Sequence, residues 1–129
     1  MGSGAGMHAG FTDASYEKAG ATLGDTAAAF GADLVCKVQK PTAAEAANMK
    51  SGSHLISLLQ PSTSAESIAA LDSRGVTAFA LELVPRITRA QSMDVLSSMA
   101  TLLGYRGVLL GADALPRVFP LMMTAAGTL

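Results

Sequence analysis

Three runs of consecutive apolar residues recur in the first two thirds of the chain, and a polar turn and a helical pattern follow each of them. The runs lie at residues 33–38, 54–59 and 76–81, so a new run begins about every 21 residues. Short apolar runs that alternate with helical patterns are typical of βα units, whose right-handed crossovers produce a parallel sheet. Strands that are apolar along their whole length are usually buried on both sides. The pattern therefore predicts a parallel-sheet, three-layer α/β domain with helices on both faces.

Polar residues that favour helix starts precede each helical pattern. A Thr followed three residues later by Glu or Gln has capping-box spacing, in which each side chain accepts a hydrogen bond from the other residue's backbone N–H. This spacing occurs at Thr42 and Glu45, at Thr63 and Glu66, and at Thr88 and Gln91. It predicts helices over residues 42–50 and 63–73, and a further helix that begins at Thr88.

Helix signals near the amino terminus are shorter. Thr12 or Asp13 is placed to cap a helix that Gly20 ends, because these residue types favour helix starts and glycine favours helix ends. A second short helix is predicted within residues 21–30.

Glycine and proline punctuate the end of the chain. Residues 102–115 are predicted to form one broken helix or two, with Gly104 and Gly107 at the joint. Pro116 and Pro120 then indicate a tail that is rich in loops.

Composition limits the classes of protein to consider. The 129 residues suffice for one domain with its own core, over residues 1–129, and the net charge of −1 gives no reason to expect nucleic acid as a partner. Only 15% of the residues are charged and 50% are apolar, so we expect another domain or subunit to cover part of the surface. Cys36 is the single cysteine, which excludes an internal disulfide and fits a reducing compartment. No apolar run approaches the ~20 residues of a membrane span.

Polar side chains stand where the predicted strands end. Lys37 ends the first strand, Gln60 follows the second, and Glu82 and Arg86 follow the third. In a doubly wound sheet, ligand sites lie beyond the carboxyl ends of the strands. A lysine in an apolar strand either extends its ammonium group past the strand end or finds an anion or carbonyl partner, and both alternatives stay open. His54 has no second metal ligand at useful spacing, so no metal site is predicted.

The segment after the third strand, residues 85–98, combines two helical patterns. Gln91, Asp94 and Ser98 recur at intervals of three and four and form a polar stripe, which two arginines precede. An apolar helix face is predicted from Met93, Leu96, Ala100 and Leu103. From spacing alone, Gln91 either caps a helix beside solvated arginines or belongs to a ligand site.

The same segment carries a family resemblance. Residues 86–94, Arg-Ile-Thr-Arg-Ala-Gln-Ser-Met-Asp, with Leu-Ser-Ser and Gly-Tyr-Arg after them, resemble a loop in the NAD(H)-binding domain of proton-translocating nicotinamide nucleotide transhydrogenase. That domain is similar in fold to alanine dehydrogenase. The string Gly-Ala-Gly at residues 4–6, with residues 9–14 and 16–21, also resembles this family. The resemblance implies a Rossmann/flavodoxin-like domain that is incomplete and lacks the first β-α-β unit.

The resemblance also implies roles for particular residues. In the family, residues at the positions of Arg86, Gln91 and Asp94 lie against the nicotinamide end of NAD(H), with a serine at the position of Ser97 one helical turn further on. The implied activity is Re/Si-specific NAD(P) transhydrogenase, in which hydride passes from NADH to NADP. The implied cofactors are NAD(H), and NADP(H) bound on another domain or subunit.

Alanine dehydrogenase is the first alternative, and the non-catalytic interaction module is the second. In alanine dehydrogenase, a lysine at the position of Lys37 and a histidine at or near the position of Gln60 bind and protonate pyruvate. Glutamine cannot exchange a proton near neutral pH, whereas imidazole can. Hydride exchange between two nicotinamides needs positioning rather than an acid or base. Gln60 and the Arg-Gln-Asp loop therefore both favour the transhydrogenase interpretation.

The partners implied by the resemblance are other components of the same enzyme. They are a second Rossmann-type NAD-binding domain that holds the pyrophosphate and adenosine, an NADP-binding subunit, membrane subunits, and a second copy of this chain in a homodimer. The implied location is a soluble domain at the inner or cytoplasmic membrane face, in the bacterial cytoplasm, the mitochondrial matrix or another organelle. The chain is expected to be cut at both ends and to be inactive alone.

Overall fold

The computed structural model describes residues 1–119 and 121–128 and divides the chain into two compact units. The first unit is Met1–Met93 and the second is Asp94–Leu129. Each unit is described separately below. The expectation of a single domain over residues 1–129 stays a prediction.

A three-stranded sheet forms the centre of the first unit. Its strands are β1 (Leu34–Cys36), β2 (His54–Ser57) and β3 (Thr77–Ala80), in the order β1-β2-β3. Both pairings are parallel, and Val35, Leu55 and Ala78 lie side by side. The predicted parallel α/β fold is therefore confirmed, with strands shorter than the apolar runs because the ends of each run enter the adjoining loops.

Four short helices complete the first unit. They are α1 (Asp13–Lys18), α2 (Thr26–Phe30), α3 (Ala43–Ala47) and α4 (Ala65–Ser73). Short 3-10 segments lie at Met7–Ala9, Pro61–Thr63, Leu81–Leu83 and Thr88–Met93. The helices expected within residues 21–30 and 42–50 are thus present in shortened form.

The core of the first unit lies on one face of the sheet. It consists of Phe30, Val35, Ala46, Met49, Leu55, Leu59 and Leu71, which come from strands and from α2, α3 and α4. The order β1-β2-β3 moves the chain in one direction, so right-handed crossovers bring α3 and α4 to the same face, where they contact each other. On the other face, Leu34, Cys36 and Phe79 are exposed. In the part of the chain that the structure describes, helices therefore cover one face rather than the two expected.

The helix caps of α1 and α3 follow the sequence predictions. The hydroxyl of Thr12 accepts a hydrogen bond from the backbone N–H of Ser15 at the start of α1. At the start of α3, Thr42 and Glu45 form the complete capping box. Local side-chain chemistry is therefore sufficient to locate both helix starts.

The other two capping boxes were predicted wrongly. Thr63 ends a 3-10 turn that Pro61 begins, and its hydroxyl donates to the carbonyl of Gln60, so α4 starts two residues later than predicted. Residues Thr88–Met93 form a 3-10 helix, and Asp94 caps the following α-helix instead. Capping-box spacing marks a turn of helix at both places, but it does not distinguish the 3-10 form from the α form.

The second unit contains the longest helix, α5 (Val95–Ala114), which has 20 residues. It runs without interruption through Gly104 and Gly107, so the predicted break is wrong; a glycine inside a helix costs only about 1 kcal/mol. None of its residues is buried, and Leu103 on the predicted apolar face is 75% exposed.

The length of α5 also corrects the expectation about membrane spans. Among the described residues, α5 is a helix long and apolar enough to cross a membrane. It contains Arg106 and Asp113, which interrupt the apolar runs in the sequence. Length and composition alone do not assign this helix to a membrane.

The tail after α5 contains a short hairpin. Its strands are β4 (Met123–Thr124) and β5 (Gly127–Thr128), which pair antiparallel. Pro116 lies in a bend, as the predicted loop-rich tail requires, and Pro120 lies outside the described residues.

Candidate functional site

Lys37 finds an anion partner at the end of β1. Its Nζ atom lies 2.6 Å from Oε1 of Glu45, and 5.4 Å from the centre of the Phe30 ring. Both charged side chains keep about a quarter of their surface exposed. Of the two alternatives for a lysine in an apolar strand, the ion pair is the one that the structure contains.

Glu45 uses its two carboxylate oxygens for two partners. Oε1 accepts from Lys37, and Oε2 accepts from the backbone N–H of Thr42 at 2.8 Å. Partial burial disfavours the charged carboxylate, but the hydrogen bonds from Lys37 and Thr42 outweigh it, so the pKa of Glu45 lies below its ordinary value. The loop after β1 is thus fixed by one carboxylate that stays ionised.

Gln60 adopts a backbone conformation that is uncommon for its residue type. Its φ angle is 50° and its ψ angle 59°, which places it in the left-handed region. The carboxylate of Glu82 accepts from the N–H of Leu59 at 2.9 and 3.1 Å and also from the N–H of Gln60. The side chain of Gln60 is exposed. A residue 22 positions away in sequence therefore holds the loop that follows β2.

Three polar residues that sequence reasoning did not select also join these loops. The hydroxyl of the fully buried Ser57 donates to the carbonyl of Gln39 at 2.9 Å, and Lys40 Nζ donates to the hydroxyl of Ser64 at 2.8 Å. A single serine inside the apolar run 54–59 was the available signal, because a buried hydroxyl needs a partner. For Lys40 and Ser64, no signal in the sequence identified the pairing.

A cavity of about 700 Å³ lies between the loop after β1 and the start of α4. Gln39, Lys40, Thr42, Ser64 and Glu66 are among the residues that line it. Lys37 and Gln60 are not among them, so the structure does not bring these two predicted pocket residues into this cavity. In the described residues, no group of three or more metal-ligating side chains occurs.

Arg86 and Gln91 lie in the segment after β3. Arg86 follows the 3-10 turn Leu81–Leu83, and Gln91 lies within the 3-10 helix Thr88–Met93, next to the buried Ala90. Both side chains are exposed, and neither makes a side-chain hydrogen bond to the described residues. Their donor and acceptor groups are thus available to a ligand.

Asp94 and Ser97 lie at the start of α5 in the second unit, and the structure brings these two together. Asp94 Oδ1 accepts from the backbone N–H of Ser97 at 2.9 Å, and Oδ2 accepts from the hydroxyl of Ser97 at 2.7 Å. This arrangement is a helix cap. The role of all four residues at a nicotinamide stays a prediction.

Known proteins resemble this chain in sequence and in structure. Residues 1–103 match the family described as alanine dehydrogenase/PNT, N-terminal domain. The chain is 49% identical over 132 residues to an NAD(P) transhydrogenase alpha subunit of Rhodospirillum rubrum, across 97% of this chain and 34% of that protein. It is 31% identical over 115 residues to alanine dehydrogenase of Bacillus subtilis (strain 168), across 88% of this chain and 30% of that protein.

Solved structures give the same result. The crystal structure of transhydrogenase from Sinorhizobium meliloti superposes with a TM-score of 0.89 at 48% identity, covering 99% of this chain and 39% of that one. A structure of L-alanine dehydrogenase superposes with a TM-score of 0.83 at 29% identity, covering 98% and 36%. The chain spans about a third of the length of the curated relatives it matches. It belongs to the alanine dehydrogenase/PNT N-terminal domain family.

Proposed function

We propose that this chain belongs to the NAD(H)-binding component of a proton-translocating, Re/Si-specific transhydrogenase, in which hydride passes from NADH to NADP. The observation that carries this proposal is the difference between the two groups of relatives. Identity to the transhydrogenase subunit is 49% over 97% of the chain, whereas identity to alanine dehydrogenase is 31% over 88%.

The residues at the strand ends support the same choice. Gln60 occupies the position at or near which alanine dehydrogenase has its histidine, and glutamine supplies no proton near neutral pH. Lys37 is already paired with Glu45, so its ammonium is not free for a substrate carboxylate. Hydride transfer between two nicotinamides needs neither group as an acid or base, because it depends on alignment.

Exposed side chains after β3 are suited to hold a nicotinamide. Gln91 can donate to a carboxamide oxygen and accept from a carboxamide nitrogen, and Arg86 can donate to a carboxamide oxygen or a phosphate. Neither side chain has to break an existing hydrogen bond to do so. We assign Asp94 and Ser97 to the same cofactor on the basis of the resemblance, with Asp94 also serving as the cap of α5. NADH, when bound, supplies the hydride, and these residues orient its ring.

The partners follow from the proposed activity. A second Rossmann-type domain would bind the pyrophosphate and adenosine of NAD(H), and NADP(H) would be held by another domain or subunit. Membrane subunits would couple the reaction to proton movement, which places this component at the inner or cytoplasmic membrane face. We also propose that the component is a homodimer.

Two reactions in the assembled enzyme test the proposal. We expect NADH-dependent reduction of NADP and no NADH oxidation with pyruvate and ammonium. The reverse result would favour the alanine dehydrogenase alternative, and inactivity in both would favour the interaction module. Gln60→His is an informative variant, because it restores an imidazole without creating the substrate arginine that alanine dehydrogenase uses.

A further inference from the structure

The carboxylate of Glu82 connects two of the three strand-end loops. Glu82 lies in the 3-10 turn Leu81–Leu83 directly after β3, and its oxygens accept from the backbone N–H groups of Leu59 and Gln60 after β2. Leu59 is part of the buried core, whereas Gln60 is exposed. Glu82 therefore contacts the loop at the point where it leaves the core.

The conformation held by Glu82 is one that Gln60 would not favour alone. Side chains with a Cβ rarely occupy the left-handed region, and they stay there only where surrounding groups determine the backbone. Both backbone groups of Gln60 are bonded. Its N–H donates to Glu82, and its carbonyl accepts from the backbone N–H of Thr63 at 3.0 Å and from the Thr63 hydroxyl at 3.3 Å.

We infer that Glu82 is a positioning residue for hydride transfer. It holds the loop of Gln60 in one conformation and ties it to the segment that leads, four residues later, to Arg86. Strained backbone conformations occur most often at ligand sites, and this one stands at the carboxyl edge of the sheet, where α/β proteins bind ligands. The inference rests on the proposed function.

Glu82→Gln is the sharpest variant, because it preserves shape and removes the charge. Glutamine has one acceptor oxygen, and its amide nitrogen would face a backbone N–H, so the three contacts cannot all persist. In the complete transhydrogenase we expect single-turnover hydride transfer to slow about tenfold, while the dissociation constant of NADH changes less than about twofold. Glu17→Gln, an exposed carboxylate on α1, is the matched control and should transfer hydride at the wild-type rate.

A second variant separates positioning from loss of folding. Asparagine tolerates the left-handed region better than glutamine and keeps a side-chain amide. If Glu82 acts by holding Gln60, then Gln60→Asn in the Glu82→Gln background should recover part of the lost rate. Hydrogen exchange at the amides of Leu59 and Gln60 should become faster in Glu82→Gln and slow again in the double variant.

The outcomes distinguish the two proposals. A wild-type enzyme that does not transfer hydride refutes the proposed function and this inference with it. An active wild-type enzyme whose Glu82→Gln variant transfers hydride at the same rate refutes only this inference. A slower variant with no rescue by Gln60→Asn and unchanged amide exchange also overturns it, because the loss would then not pass through the loop.

Discussion

The two units of the chain use their apolar residues differently. In the first unit, Val35, Leu55 and Leu71 are buried between one sheet face and the helices. In the second unit, α5 has an apolar sequence but no buried residue. Apolar periodicity therefore identified elements in both units, but it did not show which apolar faces the chain itself covers.

Helix length follows the same division. The helices α1 to α4 have between five and nine residues, fewer than the ~12–15 that an isolated helix needs in water. They depend on caps and on packing against the sheet. At 20 residues, α5 exceeds that length and forms without a packed face.

The largest expected contrast between the units is in core packing. Leu55 is fully buried on the central strand, so Leu55→Ala should lower the free energy of unfolding by about 2–5 kcal/mol. Leu103→Ala on α5 should change it by less than about 0.5 kcal/mol. Urea unfolding of the chain measures both. Equal losses would mean that α5 is buried in solution, and the contrast would disappear.

A smaller effect is expected on catalysis, where Gln91 belongs to the first unit and Asp94 to the second. Gln91→Ala should slow single-turnover hydride transfer about 10–100-fold, the range in which small misplacements act. Asp94→Ala should slow it over the same range, while NADH affinity changes far less for both. Ser92→Ala, an exposed neighbour with no proposed role, is the matched control. Wild-type rates in both variants would leave Gln91 as a structural residue and Asp94 as a helix cap.

Helix caps offer a matched pair with effects of about 1 kcal/mol. Thr42→Ala removes the cap of α3, which packs in the core through Ala46, and should lower the free energy of unfolding of the first unit. Asp94→Ala should instead reduce the helical circular dichroism of α5. Asp94→Asn keeps a capping side chain, so it should preserve the helix and reveal any separate role of the charge in hydride transfer. A lower unfolding midpoint of the first unit in Asp94→Ala would contradict this division.

The smallest expected effect concerns acid stability. Because the folded-state pKa of Glu45 is lowered, its stabilisation is present above the unfolded-state pKa and is lost as the pH falls through the folded-state value. The loss should begin near pH 5. Glu45→Gln should lower the free energy of unfolding at pH 7 by less than about 1 kcal/mol and flatten the acid dependence. Unfolding measured between pH 7 and pH 3 checks the slope, and an unchanged slope would contradict the assignment.

Local patterns predicted those features that local chemistry determines. The three parallel strands and the caps at Thr12 and Thr42 each depend on residues within one element or turn. The 3-10 forms at Thr63 and Thr88 were missed, because the same spacing serves both helix types.

Features of the candidate site that depend on distant residues were not predictable in the same way. The left-handed conformation of Gln60 needs Glu82, and the partner of Lys40 lies 24 positions away in Ser64. Lys37 was recognised as a lysine in need of a partner, but nothing in the apolar pattern identified Glu45. The resemblance, rather than spacing, was the reason to select Arg86.

The double use of Glu45 has a consequence for how this loop can evolve. Glutamine could retain the contact with Thr42 but would lose the charge that pairs with Lys37, and aspartate is one methylene shorter. A neutral residue at position 37 would in turn leave only the capping function to maintain glutamate at position 45. Substitutions at these positions should therefore show epistasis, so that the effect of a change at one depends on the residue present at the other.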